Sequence, residues 1–252
     1  MAGKDTNTGA KRARETREAL GLEQNTPLAC VLDTVETGFS LPVVIAEMPE
    51  HIAGACCRVN DGAVLWVNGT QATVRRRFTL AHELGHIRCG HDHGLPVETF
   101  ETLGGKPTDQ REVQANAFAA QLLMPADGIR EQVTREPTLE GVVTIAARFG
   151  VSTIAALYRL NTLKLVSAKR SARVKNEIDE GLADDVWAHV APPPFEDGMA
   201  AIDEDDLPRL SPQLAGSGLE AMVLRSASLP SIAAAAGCDA SALADGAAAI
   251  GV

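Results

Sequence analysis

Phe78-Thr79-Leu80-Ala81-His82-Glu83-Leu84-Gly85-His86 is the stretch on which the fold and chemistry of this chain turn. Positions four apart on a helix share one face a turn from each other, so His82 and His86 can offer both imidazoles to a single ion. Glu83 sits about 100° round the same helix, beside that ion without ligating it. A carboxylate there can take a proton from a water held at the ion, which is the chemistry of a hydrolytic zinc site. Val74, Phe78, Ala81 and Gly85 fall on one stripe at helical spacing, which predicts a single buried side with the histidines facing an opening. Gly85 weakens a helix, so its presence points to another backbone passing close by. The competing reading is a solvated helix with two surface histidines, since so short a pattern also arises by accident.

Working outward, Leu41 to Ala46, Ala53 to Val59 and Ala63 to Asn68 have strand character, and Asn60-Asp61-Gly62 between the last two is a hairpin signal. Asn68-Gly69-Thr70 offers caps for a motif helix running from about Thr70 or Gln71 to Cys89, with Gly90 as its stop. Asp109 to about Met124 reads as a second long helix ended by Pro125, and a short helix is predicted near Pro27 to Val35. Between Thr138 and Leu165, the run Ile145 to Leu157 around Gly150-Val151-Ser152 has the small residues and turn glycine of a helix-turn-helix. A weaker echo lies at Ile232 to Cys238.

A catalytic zinc keeps three protein ligands and one open position, so a third ligand is needed. His91, Asp92 and His93 follow the motif closely. Asp92 has the spacing used by metzincin-type proteases, but Cys89 stands where those carry the glycine of the bend. Glu112 is the stronger candidate: Glu112, Ala115, Asn116 and Ala119 share one helical face whose small residues allow close approach to the His82 helix. That approach would bring the Glu112 carboxylate to the ion and set Asn116 beneath it.

With Arg77 to His86 and the later run Glu112-Val113-Gln114-Ala115-Asn116-Ala117-Phe118-Ala119-Ala120-Gln121-Leu122-Leu123-Met124-Pro125, the chain resembles the ImmA/IrrE family of bacterial and phage metallopeptidases. The resemblance extends through Phe149 to Leu160 and covers about Leu28 to Leu165. It implies a gluzincin-like zinc peptidase with one Zn2+ per chain, His82, His86 and Glu112 as ligands and Glu83 as general base. It also implies a protein substrate, a helix-turn-helix repressor of the phage type, whose cleavage releases stress-response or mobile-element genes. The chain departs from the family at Gln114, where many relatives carry an acid, and in its acidic tail.

The expected fold class is α+β: a small antiparallel three-stranded sheet packed on the HExxH helix and the second ligand-bearing helix, then a helix-turn-helix-like unit and an acidic C-terminal extension. The expected divisions are 1–27, a flexible and loosely held leader; 28–136, the peptidase core; 137–168, the helix-turn-helix-like unit; and 169–252, a partly disordered or weakly helical extension. From Asn176 onward 14 acids face two bases, net −12, so the overall charge of −10 leaves the preceding residues net +2. That excess disfavours nucleic-acid binding by the whole chain and suggests a solvated or protein-contacting appendage. Ala191 to Phe195 and Asp203 to Asp206 read as linker.

A polar N-terminus, no stretch long enough to span a bilayer and five cysteines without paired spacing predict a cytoplasmic protein with no membrane contact and no disulfide framework. Tyr158 and His93 are candidate oxyanion donors, and an extended peptide can add to an exposed sheet edge. Arg75, Arg76 and Arg77 either flank the entrance or form a solvated face. The alternative function is a non-proteolytic regulator that binds DNA or a repressor through the helix-turn-helix segment, with Lys164, Lys169, Arg170, Arg173 and Lys175 as a basic patch. Against it, the recognition-helix positions Thr153 to Leu160 carry only Arg159 as a cation. A third possibility is a toxin-antitoxin or phage-derived component whose peptidase needs a partner.

Overall fold

The computed structural model describes residues 2–48, 52–59, 62–91, 97–99, 109–190, 199, 202 and 207–214. In chain order the elements are α1 (Ala2–Ala19), α2 (Val31–Glu36), β1 (Val43–Ala46), β2 (Ile52–Val59), β3 (Gly62–Asn68), α3 (Thr73–Cys89), β4 (Val97–Thr99), α4 (Gln110–Leu123), α5 (Ala126–Gln132), α6 (Leu139–Phe149), α7 (Thr153–Thr162), α8 (Ala168–Asp179), α9 (Leu182–Trp187) and β5 (Arg209–Leu210), with a 3-10 turn at Pro212–Leu214. The architecture is mixed α+β.

The motif helix is α3. It ends where Gly90 takes a left-handed conformation at φ 72°, which a glycine adopts without penalty, and the Gly90 and His91 amides return to the Ile87 and His86 carbonyls. Its start differs from expectation. Ala72 occupies the cap position without a side-chain hydrogen bond, while Asn68 turns back into the sheet and donates to the Met48 and Ile52 carbonyls. Nor is α3 buried along one stripe. Every residue from Thr79 to His86 is buried, because the sheet covers one side and α4 and α1 the other.

The sheet corrects the three-stranded antiparallel expectation. Its order is β4-β2-β3-β1-β5 and it is mixed: β2 and β3 form the antiparallel hairpin, but β1 runs parallel to β3, pairing Val43 with Leu65 and Ala46 with Asn68. Alternation of apolar residues fixes which face a strand buries, not which neighbour it pairs with or in which direction. The extra strands, β4 antiparallel to β2 and β5 antiparallel to β1, are three and two residues long.

The expected loose leader is instead α1, which lies along α4 at close range. A Cβ on Gly9 would stand 2.0 Å from the Gln114 carbonyl oxygen, and Ala13, Thr16 and Arg17 are fully buried. Small residues rather than large apolar ones make that contact, which is why counting apolar positions underrates it. In the C-terminal segment, α8 and α9 fold back on the α6–α7 pair. Val174 is buried, and Trp187 Nε1 donates to Thr153 Oγ1 at 2.9 Å. The linker residues 191–195 and 203–206 and the echo at 232–238 lie outside the described residues. Among the described residues no single helix is long and apolar enough to cross a membrane.

Of the three consecutive arginines on α3, Arg76 and Arg77 are neither a steering patch nor a solvated face. Arg77 is 1% exposed and its guanidinium donates to the carbonyls of Leu28 (2.7 Å), Ala29 (3.2 Å) and Gly150 (3.1 Å). Arg76 reaches the Ile202 carbonyl at 3.1 Å. Replacing Arg77 by Met leaves three inward-facing acceptors without their donor, each worth about 1–3 kcal/mol when buried. The expected loss is about 3 kcal/mol or more, read as a lowered urea midpoint at unchanged slope.

Candidate metal centre

Gly85 on α3 faces Ala115 on α4, where a Cβ would meet the Ala115 Cα and carbonyl oxygen at 3.1 Å. That close approach brings side chains of both helices to one point. His82 Nε2 and His86 Nε2 are 2.9 Å apart, and Glu112 sets Oε2 3.2 Å from the first and Oε1 3.5 Å from the second. One ligand atom from each of the three lies within 4.8 Å of the others.

Ligands bound tetrahedrally at 2.0–2.1 Å stand about 3.3 Å from each other, so donor atoms at these separations are close enough together to share one small cation. Burial pushes the Glu112 carboxyl up, but its bonds to His82 and His86 outweigh that and hold it well below the usual carboxylate range. His82 Nδ1 lies 2.9 Å from Asn116 Oδ1. An amide oxygen only accepts, so His82 donates from Nδ1 to Asn116, and its Nε2, on the far side of the ring, faces the cluster.

Glu83, on the same helix, is fully buried, with a carboxylate oxygen close to the backbone of β2. A Cβ on Gly54 would lie 3.4 Å from Glu83 Oε1 and 2.6 Å from Thr79 Cγ2, so the bare backbone of β2 is the floor beside this carboxylate. Gly54 is absent from the sequence-derived candidates, although a glycine inside an apolar run signals such an approach. His91, one of the candidates that follow the motif, stands beside the cluster and not among its ligands: its Nδ1 is 3.0 Å from His86 Nδ1 and its Nε2 is 3.1 Å from Gln114 Oε1. Tyr158 does not join them. It is 48% exposed on α7, on the side of Lys175 of α8. His93 and Asp92 lie outside the described residues.

A helix that presents both histidines of His-Glu-x-x-His to one point, with its own glutamate against a sheet, is the arrangement that HExxH metallopeptidases use. Residues 41–161 match the IrrE N-terminal-like domain of the M78 peptidases. Over 99 residues the chain is 37% identical to the radiation response metalloprotease IrrE of Deinococcus deserti, covering 38% of this chain and 35% of that protein. Over the same length it is 36% identical to the radiation response metalloprotease IrrE of Deinococcus radiodurans, covering 38% and 30%. The 41–161 segment is thus similar to the peptidase domain of the IrrE metalloproteases, and the chain spans about a third of the length of these curated relatives.

Because Gly85 sets the distance between α3 and α4, Gly85→Leu should overpack the contact by about 1–3 kcal/mol and spread the three ligands. The expected outcome is a lower denaturation midpoint together with weakened uptake of a divalent cation in calorimetric titration.

Proposed function

We propose that the protein is a zinc-dependent endopeptidase acting in the cytoplasm on a helix-turn-helix repressor of the phage type, so that cleavage switches on stress or mobile-element genes. The observation that carries this reading is the convergence of His82, His86 and Glu112 beside a buried Glu83. When bound, zinc supplies a Lewis acid that lowers the pKa of water toward neutrality and polarises a peptide carbonyl.

The chain's residues divide the remaining work. His82, His86 and Glu112 hold the cation, and Asn116 keeps the His82 proton on Nδ1. Glu83 accepts the proton of the attacking water on a carboxylate oxygen and delivers it to the leaving amine nitrogen. Its burial against Gly54 keeps bulk water from competing for that proton. An extended peptide adds on the β4 side of the sheet, since β2, which lies under Glu83, pairs with β4, whereas the opposite edge is covered by β5.

The rival reading, a non-proteolytic DNA or repressor binder, loses support at α7. Its one cation, Arg159, is 6% exposed and donates inward to the Met124 carbonyl at 2.9 Å and to Gln121 Oε1. On α8, Arg170, Arg173 and Lys175 pair with Glu136, Glu177 and Asp179.

The test reads zinc content beside cleavage of a helix-turn-helix repressor encoded nearby. Wild type should carry close to one zinc per chain, and His82→Ala and Glu112→Ala should lose it. Glu83→Gln should keep the metal while cleavage falls by about 10²–10⁴-fold, the usual contribution of a general base. A metal-free wild type that binds duplex DNA in a salt-dependent way would establish the rival instead.

A further inference from the structure

His86 has two ring nitrogens, and its surroundings treat them differently. Nε2 faces the ligand cluster, 2.9 Å from His82 Nε2 and 3.5 Å from Glu112 Oε1, while Nδ1 points away to His91 Nδ1 at 3.0 Å. From His91 the line continues through Nε2 to Gln114 Oε1 at 3.1 Å. A neutral imidazole has one N–H and one lone pair, so each link dictates the next. If the Nε2 lone pair of His86 is to face a cation, His86 must carry its proton on Nδ1 and donate it to His91 Nδ1. His91 then carries its own proton on Nε2 and donates it to the Gln114 amide oxygen.

Both outer members are held by backbone that the metal site does not need for its own ligands. The His91 amide returns to the His86 carbonyl at 3.0 Å, in the turn that Gly90 makes possible, so the His91 ring is brought back over the end of α3. Gln114 is fixed on α4, two residues after Glu112, where Gly9 of α1 lies against its main-chain carbonyl. Asn116 performs the shorter version of the same task for His82.

We propose that His91 and Gln114 are positioning residues that set the tautomer and ring orientation of His86, so that both imidazoles present a lone pair to one divalent cation. The proposal rests on the reading of His82, His86 and Glu112 as a zinc site and assigns the far side of His86 a role of its own. Partners of this kind, one shell out from a ligating histidine, govern how tightly a metal is held. The amide at 114 needs only to accept, so a carboxylate there serves the chain of hydrogen bonds equally and an aliphatic side chain ends it.

The test uses the full chain and zinc alone. In competition with a chromophoric chelator, His91→Phe and Gln114→Leu should weaken zinc binding by about 10–100-fold, while Gln114→Glu should restore wild-type affinity. Nitrogen-15 spectra of the histidine rings in zinc-loaded wild type should show His82 and His86 protonated on Nδ1 and His91 on Nε2. This readout needs no variant to fold, and a general loss of stability would not move it. Wild-type affinity in His91→Phe, or a His91 proton on Nδ1, would overturn the proposal. A wild type that takes up no zinc would overturn the metal-site reading beneath it.

Discussion

The distance between α3 and α4 is the constraint on which everything else in this protein depends. Imidazole and carboxylate side chains are short, so three of them from two helices meet at one point only if the helix axes approach to the lower end of the usual packing range, about 8 Å. Gly85 opposite Ala115 permits that approach. The same device recurs on the other side of α4, where Gly9 of α1 seats on the Gln114 carbonyl. The helix that supplies Glu112 is thus gripped between two glycine contacts, and one of them comes from a helix outside the 41–161 segment that matches the IrrE N-terminal-like domain.

Buried arginines then fasten the surrounding pieces to this pair of helices. Arg17 ties α1 to the Leu122 carbonyl of α4 and to the carbonyls of Glu23 and Thr26 in the following turn. Arg77 joins α3 to residues 28 and 29 and to the turn at Gly150, and Arg159 joins α7 to Gln121 and Met124. Burial pushes Arg17 and Arg159 down to about 10, which still leaves both charged at neutral pH. Main-chain carbonyls replace the water that each guanidinium gave up. In this arrangement a helix-turn-helix geometry is a packing unit of the core around the candidate metal site, because the side chain that would meet a phosphate is turned inward.

The helices of the site were legible in the sequence because each carries its own punctuation. Gly90 ends α3, Asp109 caps α4 through the Arg111 amide, and Thr138 and Ser152 cap α6 and α7. The juxtaposition of His82, His86 and Glu112 followed from helical spacing and small residues on the facing side. What could not be read depends on contacts between distant segments. β4 and β5 are too short to show a period, and the parallel pairing of β1 with β3 leaves no local mark. α1 buries a face of glycine, alanine, threonine and arginine, which resembles solvated helix until a partner backbone is set against it. The hydrogen bonds from His86 through His91 to Gln114 join positions 5 and 23 residues apart with no periodic relation.

The acidic C-terminal part shows how a single residue can decide where a charged segment docks. Only two bases, Arg209 and Arg225, stand among its 14 acids. Arg209 meets the Glu36 carboxylate with both terminal nitrogens, one of them at 2.7 Å, and Gln213 Nε2 donates to the Glu36 carbonyl at 2.7 Å. Because Glu36 is only 8% exposed, this two-pronged contact is better shielded than a surface ion pair. It holds β5 in register against β1, with Leu207 packed over Gly69. The edge of β1 therefore does not stay open as a template for another chain. The two sides of the sheet become unequal: the side remote from the ligands is closed by the protein's own strand, and β4 forms the edge on the side where Gly54 underlies Glu83.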